Sequence, residues 1–88
     1  MLTSFREATQ LILHVHDISD DDKLELYKLY KQATVGDCNI EKPSYIITCT
    51  PFYNAKRAKM WEEWKSMEGV SRDAAQKLYI NKVRELIR

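Results

Sequence analysis

Residues 19–36 read SDDDKLELYKLYKQATVG, and this stretch decides the fold because its start, its end and one of its faces are all typical of an α-helix. Ser19 and Asp22 have capping spacing, and an acidic first turn suits the positive end of the helix dipole. Gly36 provides a natural stop. Four residues recur at helical spacing and form the predicted inward stripe, namely Leu26, Leu29, Tyr30 and Ala33.

Two further segments have the same period. The first is headed by Ser4 and Glu7, spaced as a capping box. Its inward face comprises Phe5, Ala8, Ile12 and Val15. The other runs from about Asn54, a favoured N-cap residue type, to Met67, with Gly69 just past its end. One side of that helix carries Ala58, Trp61 and Trp64, and the two tryptophans are interpreted as core residues.

A fourth helix starts at Ser71, another good cap, with Asp73 in its first turn. Its inward band comprises Ala75, Leu78, Tyr79, Lys82, Val83 and Leu86, with Lys82 as a cationic intruder. Four amphipathic helices cannot each bury a face alone, so the sequence predicts an all-α bundle. A long loop at 37–53 joins helices two and three and should fold back, either packing on the core or covering a ligand.

Composition narrows the class of protein. Eighty-eight residues make one predicted domain, 1–88, and the formal charge of +1 argues against a nucleic-acid-coating protein. The N-terminal residues lack the pattern of a signal peptide, and no stretch is long and apolar enough to cross a bilayer. Two cysteines, Cys38 and Cys49, are too few for a disulfide framework and are interpreted as cytosolic thiols, with a disulfide within the loop or a redox role as the alternatives. The expected location is cytoplasmic.

The most informative surface is on helix two. Tyr27 and Lys31 are four residues apart and share a face, with Tyr30 and Lys28 beside them. A tyrosine offers a flat ring for a base and a hydroxyl for a phosphate, and a lysine supplies a mobile positive charge. Such spacing also occurs on many solvated helices, so periodicity alone favours an ordinary surface.

A second basic cluster, Lys56, Arg57 and Lys59, lies in the first turns of helix three, where cations oppose the helix dipole. The cluster either gathers charge for an anionic ligand or remains solvated. His14 and His16 are two residues apart and point to different sides, which is poor spacing for a metal. Glycine-rich phosphate loops, nucleophile elbows and metal-ligand spacings are absent, so neither catalysis nor a cofactor is expected.

Three stretches together resemble the acyl-coenzyme A-binding protein family: residues 27–37 (YKLYKQATVGD), Trp61–Trp64 after a basic run, and 74–83 (AAQKLYINKV). The resemblance implies a four-helix up-down-down-up bundle that binds one long-chain acyl-coenzyme A as a monomeric, non-catalytic carrier. Acyl-coenzyme A-using enzymes and transient membrane contact are its implied partners. The implied ligand-binding residues are Tyr27, Lys28, Leu29, Tyr30, Lys31, Tyr79, Lys59 and Lys56.

The chain departs from the family pattern in two places. The family usually has a lysine directly before the first tryptophan, where this chain has Met60; Lys59, or otherwise Lys56, is the expected replacement. Helix one lacks the basic residue often found near its end, and His14 stands there instead. The competing hypotheses are a helical protein-interaction module that has lost ligand binding and, from a third class, a thioesterase, for which the sequence supplies no nucleophile.

Overall fold

The computed structural model describes residues 4–40 and 51–87, and of residues 51–56 it describes the backbone alone. This part of the chain contains four α-helices, one short 3₁₀ turn and no strand. Helix α1 spans Phe5–Leu11 and continues into the 3₁₀ turn Ile12–His14, α2 spans Asp20–Thr34, α3 spans Pro51–Lys65 and α4 spans Arg72–Leu86. The predicted all-α fold is confirmed.

Three of the helices begin at a serine that acts as their N-cap, as the sequence predicts. Each serine Oγ accepts a hydrogen bond of 3.1 Å from the backbone N–H three residues further on, an amide that has no partner within its helix. The three pairs are Ser4 with Glu7, Ser19 with Asp22, and Ser71 with Ala74. These local contacts fix where α1, α2 and α4 start.

Three helix boundaries differ from the prediction, the smallest difference being the end of α3 at Lys65 where Met67 is expected. Helix α3 begins at Pro51, so the prediction that Asn54 is its N-cap is wrong. Proline suits the first helical position because its φ is already helical and it has no N–H to leave unpaired there. Helix α1 ends at Leu11, and Val15 lies beyond it in extended backbone.

Helix α2 is the central element and packs against both α3 and α4, while α1 packs on α4. The start of α2 lies beside the end of α4, because Lys82 Nζ is 2.8 Å from carboxylate oxygens of both Asp22 and Glu25. These two helices are therefore antiparallel. The carboxylates hold the pKa of Lys82 above its ordinary value through hydrogen bonds, Asp22 contributing most. Lys82, the one cation predicted on the inward face of α4, thus forms ion pairs with α2.

Helices α2 and α3 run in the same direction. Tyr27 of α2 lies within electrostatic range of Arg57 of α3, and one turn further along α2 the Lys31 Nζ is 5.4 Å from the ring centroid of Trp64, further along α3. Parallel neighbours need a connection that returns along their length, about 22 Å for a 15-residue helix. This requirement explains why the connection formed by residues 35–50 is so long. The predicted up-down-down-up bundle is confirmed.

The core lies where α1, α2 and α4 meet. Its buried cluster comprises Ala8, Leu26, Leu29, Met67, Tyr79 and Val83. Two residues predicted to face inward are not buried: Tyr30 and Leu78 are each 45% exposed. Both lie at an edge of their helical stripe, where the placement of the neighbouring helix decides exposure. Tyr30 is a boundary residue, because its ring still stacks on Phe5 of α1. The prediction that Leu78 faces inward is wrong.

A polar network holds the end of α2 to the turn before α4. Gln32 is fully buried, and its Nε2 donates to Asp37 Oδ1 at 2.8 Å and to the Val70 carbonyl at 2.7 Å. Asp37 Oδ1 also accepts from the Gly69 N–H at 2.9 Å. The Gly69 N–H first, and then the Gln32 amide, hold the pKa of Asp37 below its ordinary value. Sequence reasoning did not single out this network.

The first residues after α2 lie against α3. Trp64 Nε1 donates to the Gly36 carbonyl at 2.9 Å, and Trp61 Nε1 donates to the Ile40 carbonyl at 2.8 Å. Residues 37–40 therefore fold back on the bundle as predicted. Residues 41–50, with Cys49 and the question of a lid, lie outside the described part of the chain.

Candidate functional site

The predicted pair on α2 lies beside a tryptophan of α3. Lys31 Nζ is 6.0 Å from the centroid of the Tyr27 ring and 5.4 Å from that of Trp64. The aromatic faces attract the ammonium group and hold it near the junction of the two helices. Trp64 is 2% exposed, whereas Tyr27 and Lys31 are half-buried. The arrangement presents one cation and one phenol at the same surface.

The Tyr27 hydroxyl remains protonated at neutral pH. Burial raises the pKa of this phenol, the nearby Cys38 thiol raises it further, and Arg57 opposes both. A neutral phenol can donate a hydrogen bond to an anion, whereas a phenolate would repel it. Tyr27 is therefore suited to bind an oxyanion.

A second group of charges joins α2 to α3. Glu63 Oε2 is 3.5 Å from Lys28 Nζ, and Glu63 Oε1 is 3.8 Å from Lys59 Nζ. Lys59 stands one helical turn before Glu63, so the two share a face of α3. Sequence reasoning named both lysines and missed the acid between them, although this spacing was visible.

Three aromatic rings meet where α1, α2 and α4 approach each other. The Tyr30 ring stacks on Phe5 at 6.0 Å between centroids, and Phe5 meets Tyr79 edge-on at 5.1 Å. Tyr30 and Tyr79 are 6.2 Å apart. Burial raises the pKa of Tyr79, and Tyr30 raises it further. Tyr30 is therefore a partly exposed residue whose ring packs against Phe5 and lies near Tyr79.

The other predicted site residues have different environments. Leu29 is 5% exposed and belongs to the core, so its side chain is not part of this surface. Lys59 is exposed and Met60 is half-buried, while the side chain of Lys56 lies outside the described residues. The structure therefore gathers Tyr27, Lys28, Lys31 and Lys59 along the junction of α2 and α3.

Other features of the described residues lie elsewhere. His14 is exposed and lines an open depression of about 300 Å³ together with Glu7, Gln10 and Leu11. Within residues 4–40 and 51–87, His, Cys, Asp and Glu form no group of three that could hold a metal ion. The helices described are also too short or too polar to traverse a lipid bilayer.

Sequence comparison identifies one family and several relatives. The family described as acyl CoA binding protein matches residues 3–83. The acyl-CoA-binding domain-containing protein 1 of Oryza sativa subsp. japonica is 46% identical over 69 residues, which cover 78% of this chain and 68% of that protein. The acyl-CoA-binding protein of Saccharomyces cerevisiae is 46% identical over 69 residues, covering 78% of this chain and 71% of that protein.

Solved structures with the same fold agree. The crystal structure of acyl-CoA-binding protein 2 of Oryza sativa superposes with a TM-score of 0.81 at 39% identity, covering 94% of this chain and 86% of that one. The solution structure of the yeast acyl-coenzyme A-binding protein gives a TM-score of 0.70 at 40% identity, covering 94% and 90% of the two chains.

Proposed function

This chain belongs to the acyl-CoA-binding protein family, and from that premise we propose that it binds long-chain acyl-coenzyme A esters one-to-one and carries them without chemical change. The observation that supports the proposal most directly is the junction of α2 and α3. There Lys31 lies between the rings of Tyr27 and Trp64, with Lys28 and Lys59 alongside. Phosphates need cations and neutral donors at this kind of surface.

The nucleotide end of the ligand has suitable partners in this region. Lys31 and the Tyr27 hydroxyl would bind phosphate oxygens, because one carries a positive charge and the other remains a donor. The exposed ring of Tyr30 offers a flat face on which an adenine base can stack, a contact that contributes about 1–3 kcal/mol in nucleic-acid complexes. Phe5 stacks on that ring and Tyr79 lies tilted beside it, and both contacts restrict its orientation.

The acyl tail would determine how tightly the ester binds, whereas the nucleotide end would determine which class of ligand is recognised. Exposed apolar side chains of the described chain include Leu11, Leu13, Val35 and Ile40. Each methylene that the tail buries contributes about 0.8 kcal/mol, so two more carbons tighten binding by roughly tenfold until the apolar surface is filled. Free coenzyme A and free fatty acid should each bind far more weakly than the ester.

The test is isothermal titration of the purified protein with palmitoyl-coenzyme A, with coenzyme A and palmitate as separate ligands. We expect one ester per chain. Lys31→Ala should weaken binding roughly 10- to 100-fold, because a hydrogen bond to a charged group contributes about 1.5–3 kcal/mol. Lys23→Ala removes the same charge from an exposed position of α2 and serves as the matched control.

Tyr27→Phe separates the two roles of the tyrosine, since it keeps the ring and removes the hydroxyl. A loss of affinity in Tyr27→Phe assigns phosphate contact to the hydroxyl, and a loss only in Tyr27→Ala assigns stacking to the ring. A folded wild-type protein that does not bind the ester would contradict the proposal and favour an interaction module. Release of free thiol during incubation would contradict the non-catalytic role.

We propose a monomer that works in the cytoplasm, exchanges its ligand with acyl-coenzyme A-using enzymes and contacts membranes transiently. Gel filtration with and without the ester measures the first point. Transfer of the ester between vesicles and an acyl-coenzyme A-using enzyme, with and without the protein, measures the last two.

A further inference from the structure

Glu63 is an acid placed between two lysines of the candidate site. Its two carboxylate oxygens face different partners, Lys28 on α2 at 3.5 Å and Lys59 on α3 at 3.8 Å. The exposed fractions of the three side chains are 27% for Glu63, 24% for Lys28 and 58% for Lys59. The carboxylate is therefore accessible to solvent and could move away from either lysine.

This arrangement cancels part of the positive charge that a phosphate would meet. Two lysines and one glutamate leave a local charge of +1 where the lysines alone would give +2. Both separations are longer than a hydrogen bond, and the Lys59 pair is an exposed pair within one helix, so the pairing contributes little to holding the helices together. The acid thus has a larger effect on an incoming anion than on the fold.

We propose that Glu63 is an internal counter-ion that competes with the phosphates of the ligand for Lys28 and Lys59 and thereby limits the affinity of the site. The inference rests on the proposed binding of a coenzyme A ester at the junction of α2 and α3. On binding, a phosphate displaces the carboxylate, first from Lys59, which is the more exposed lysine and the more distant partner.

The perturbation that tests the inference is Glu63→Gln, which preserves the shape and removes the charge. A unit charge about 6 Å from a phosphate in a water-like dielectric repels it enough to weaken binding roughly three- to tenfold, so the variant should bind palmitoyl-coenzyme A tighter by that factor. Glu68→Gln is the matched control. It removes the same charge from another exposed ion pair, with Lys65 at 3.3 Å, and should leave the affinity unchanged.

Three further measurements separate a charge effect from a structural one. The gain in Glu63→Gln should shrink as salt is raised from about 0.1 M to 1 M, because the Debye length falls from about 10 Å to 3 Å. A parallel titration with inorganic pyrophosphate, followed by NMR chemical shifts, should show the same gain. Thermal unfolding of the variant should match the wild type.

Each outcome decides one question. Equal or weaker binding of both ligands by folded Glu63→Gln overturns the inference, and weaker binding would mean that Glu63 positions the lysines. A wild type that does not bind the ester refutes the proposed function. In that event the pyrophosphate titration still decides the inference, because it tests the charge cluster without the acyl tail or the adenine.

Discussion

Leu29 and Leu78 provide a direct comparison of a buried and an exposed leucine in two helices of equal length. Leu29 on α2 is 5% exposed and packs in the core, whereas Leu78 on α4 is 45% exposed. Replacing either by alanine removes the same atoms and changes helix propensity little. Any difference in stability between the two variants therefore reports burial.

The magnitudes follow from the atoms removed. Leu29→Ala takes three carbon groups out of the core at about 0.8 kcal/mol each, and the cavity that remains brings the expected cost to about 2–5 kcal/mol. Leu78→Ala leaves no cavity and loses roughly half of that transfer energy, about 1 kcal/mol. In a domain of this size the melting temperature should fall by about 10–30 °C and about 5 °C respectively.

Urea unfolding followed by far-ultraviolet circular dichroism gives both free energies, and ester binding is then measured below the transition. We expect the folded fraction of Leu29→Ala to bind palmitoyl-coenzyme A as the wild type does, because the side chain lies in the core. Equal destabilisation by the two substitutions would refute the assignment of burial. Loss of binding in Leu29→Ala at unchanged stability would show that Leu29 contacts the ligand.

Three further predictions concern local contacts, and urea unfolding measures each. Ser71→Ala should lower the free energy of unfolding by about 1 kcal/mol, because it removes the N-cap of α4. Gly36→Ala and Gly69→Ala should each cost about 1–2 kcal/mol, since their φ angles of 97° and 93° are left-handed. Gly36→Ala should cost at least as much, because only its added Cβ would meet another side chain within 4 Å. Asp37→Asn should make the free energy of unfolding fall less steeply at acid pH. Because folding lowers the pKa of Asp37, its carboxylate stabilises the fold at pH values above its ordinary pKa of 3.8. This contribution is lost as the pH falls through the folded-state pKa, and the asparagine variant lacks it at every pH.

Each of these has an outcome that would contradict it. Unchanged stability in Ser71→Ala would mean that the cap hydrogen bond is replaced by water at no cost. A stabilising Gly69→Ala would show that the left-handed backbone at this position is not required. An acid limb of Asp37→Asn that matches the wild type would remove Asp37 from the groups responsible for acid sensitivity.

Most of the fold could be predicted from short-range sequence patterns. The serine caps and the stop at Gly36 depend on residues within one or two turns of each other, so the sequence alone predicts them. The prediction of where α3 starts failed because Asn54 is a favourable cap residue, whereas the helix begins at Pro51, which suits the first helical position. Contacts between helices could not be predicted from the sequence alone, because they join residues far apart in the chain. The pairing of Lys82 with two acids of α2 is an example.

The candidate site divides in the same way. Tyr27 and Lys31 could be named because one helical turn separates them, and the family resemblance supplied their expected role. That Trp64 lies beside Lys31 depends on the packing of α3 against α2, which periodicity does not give. Gln32 could have been suspected, since it lies three residues after Leu29 on the buried side of α2, but its partners come from two other segments.

The position of Lys31 over the Trp64 ring gives the protein a built-in optical reporter. Trp64 is screened from solvent and its indole N–H is fixed to the Gly36 carbonyl, so a change in the ammonium charge 5.4 Å from its ring should alter its emission. An anion that draws Lys31 away or neutralises its field should shift the fluorescence maximum without touching the indole. In a Trp61→Phe variant, which leaves Trp64 as the single tryptophan, the emission maximum would then report the arrival of an anion at Lys31 as it happens.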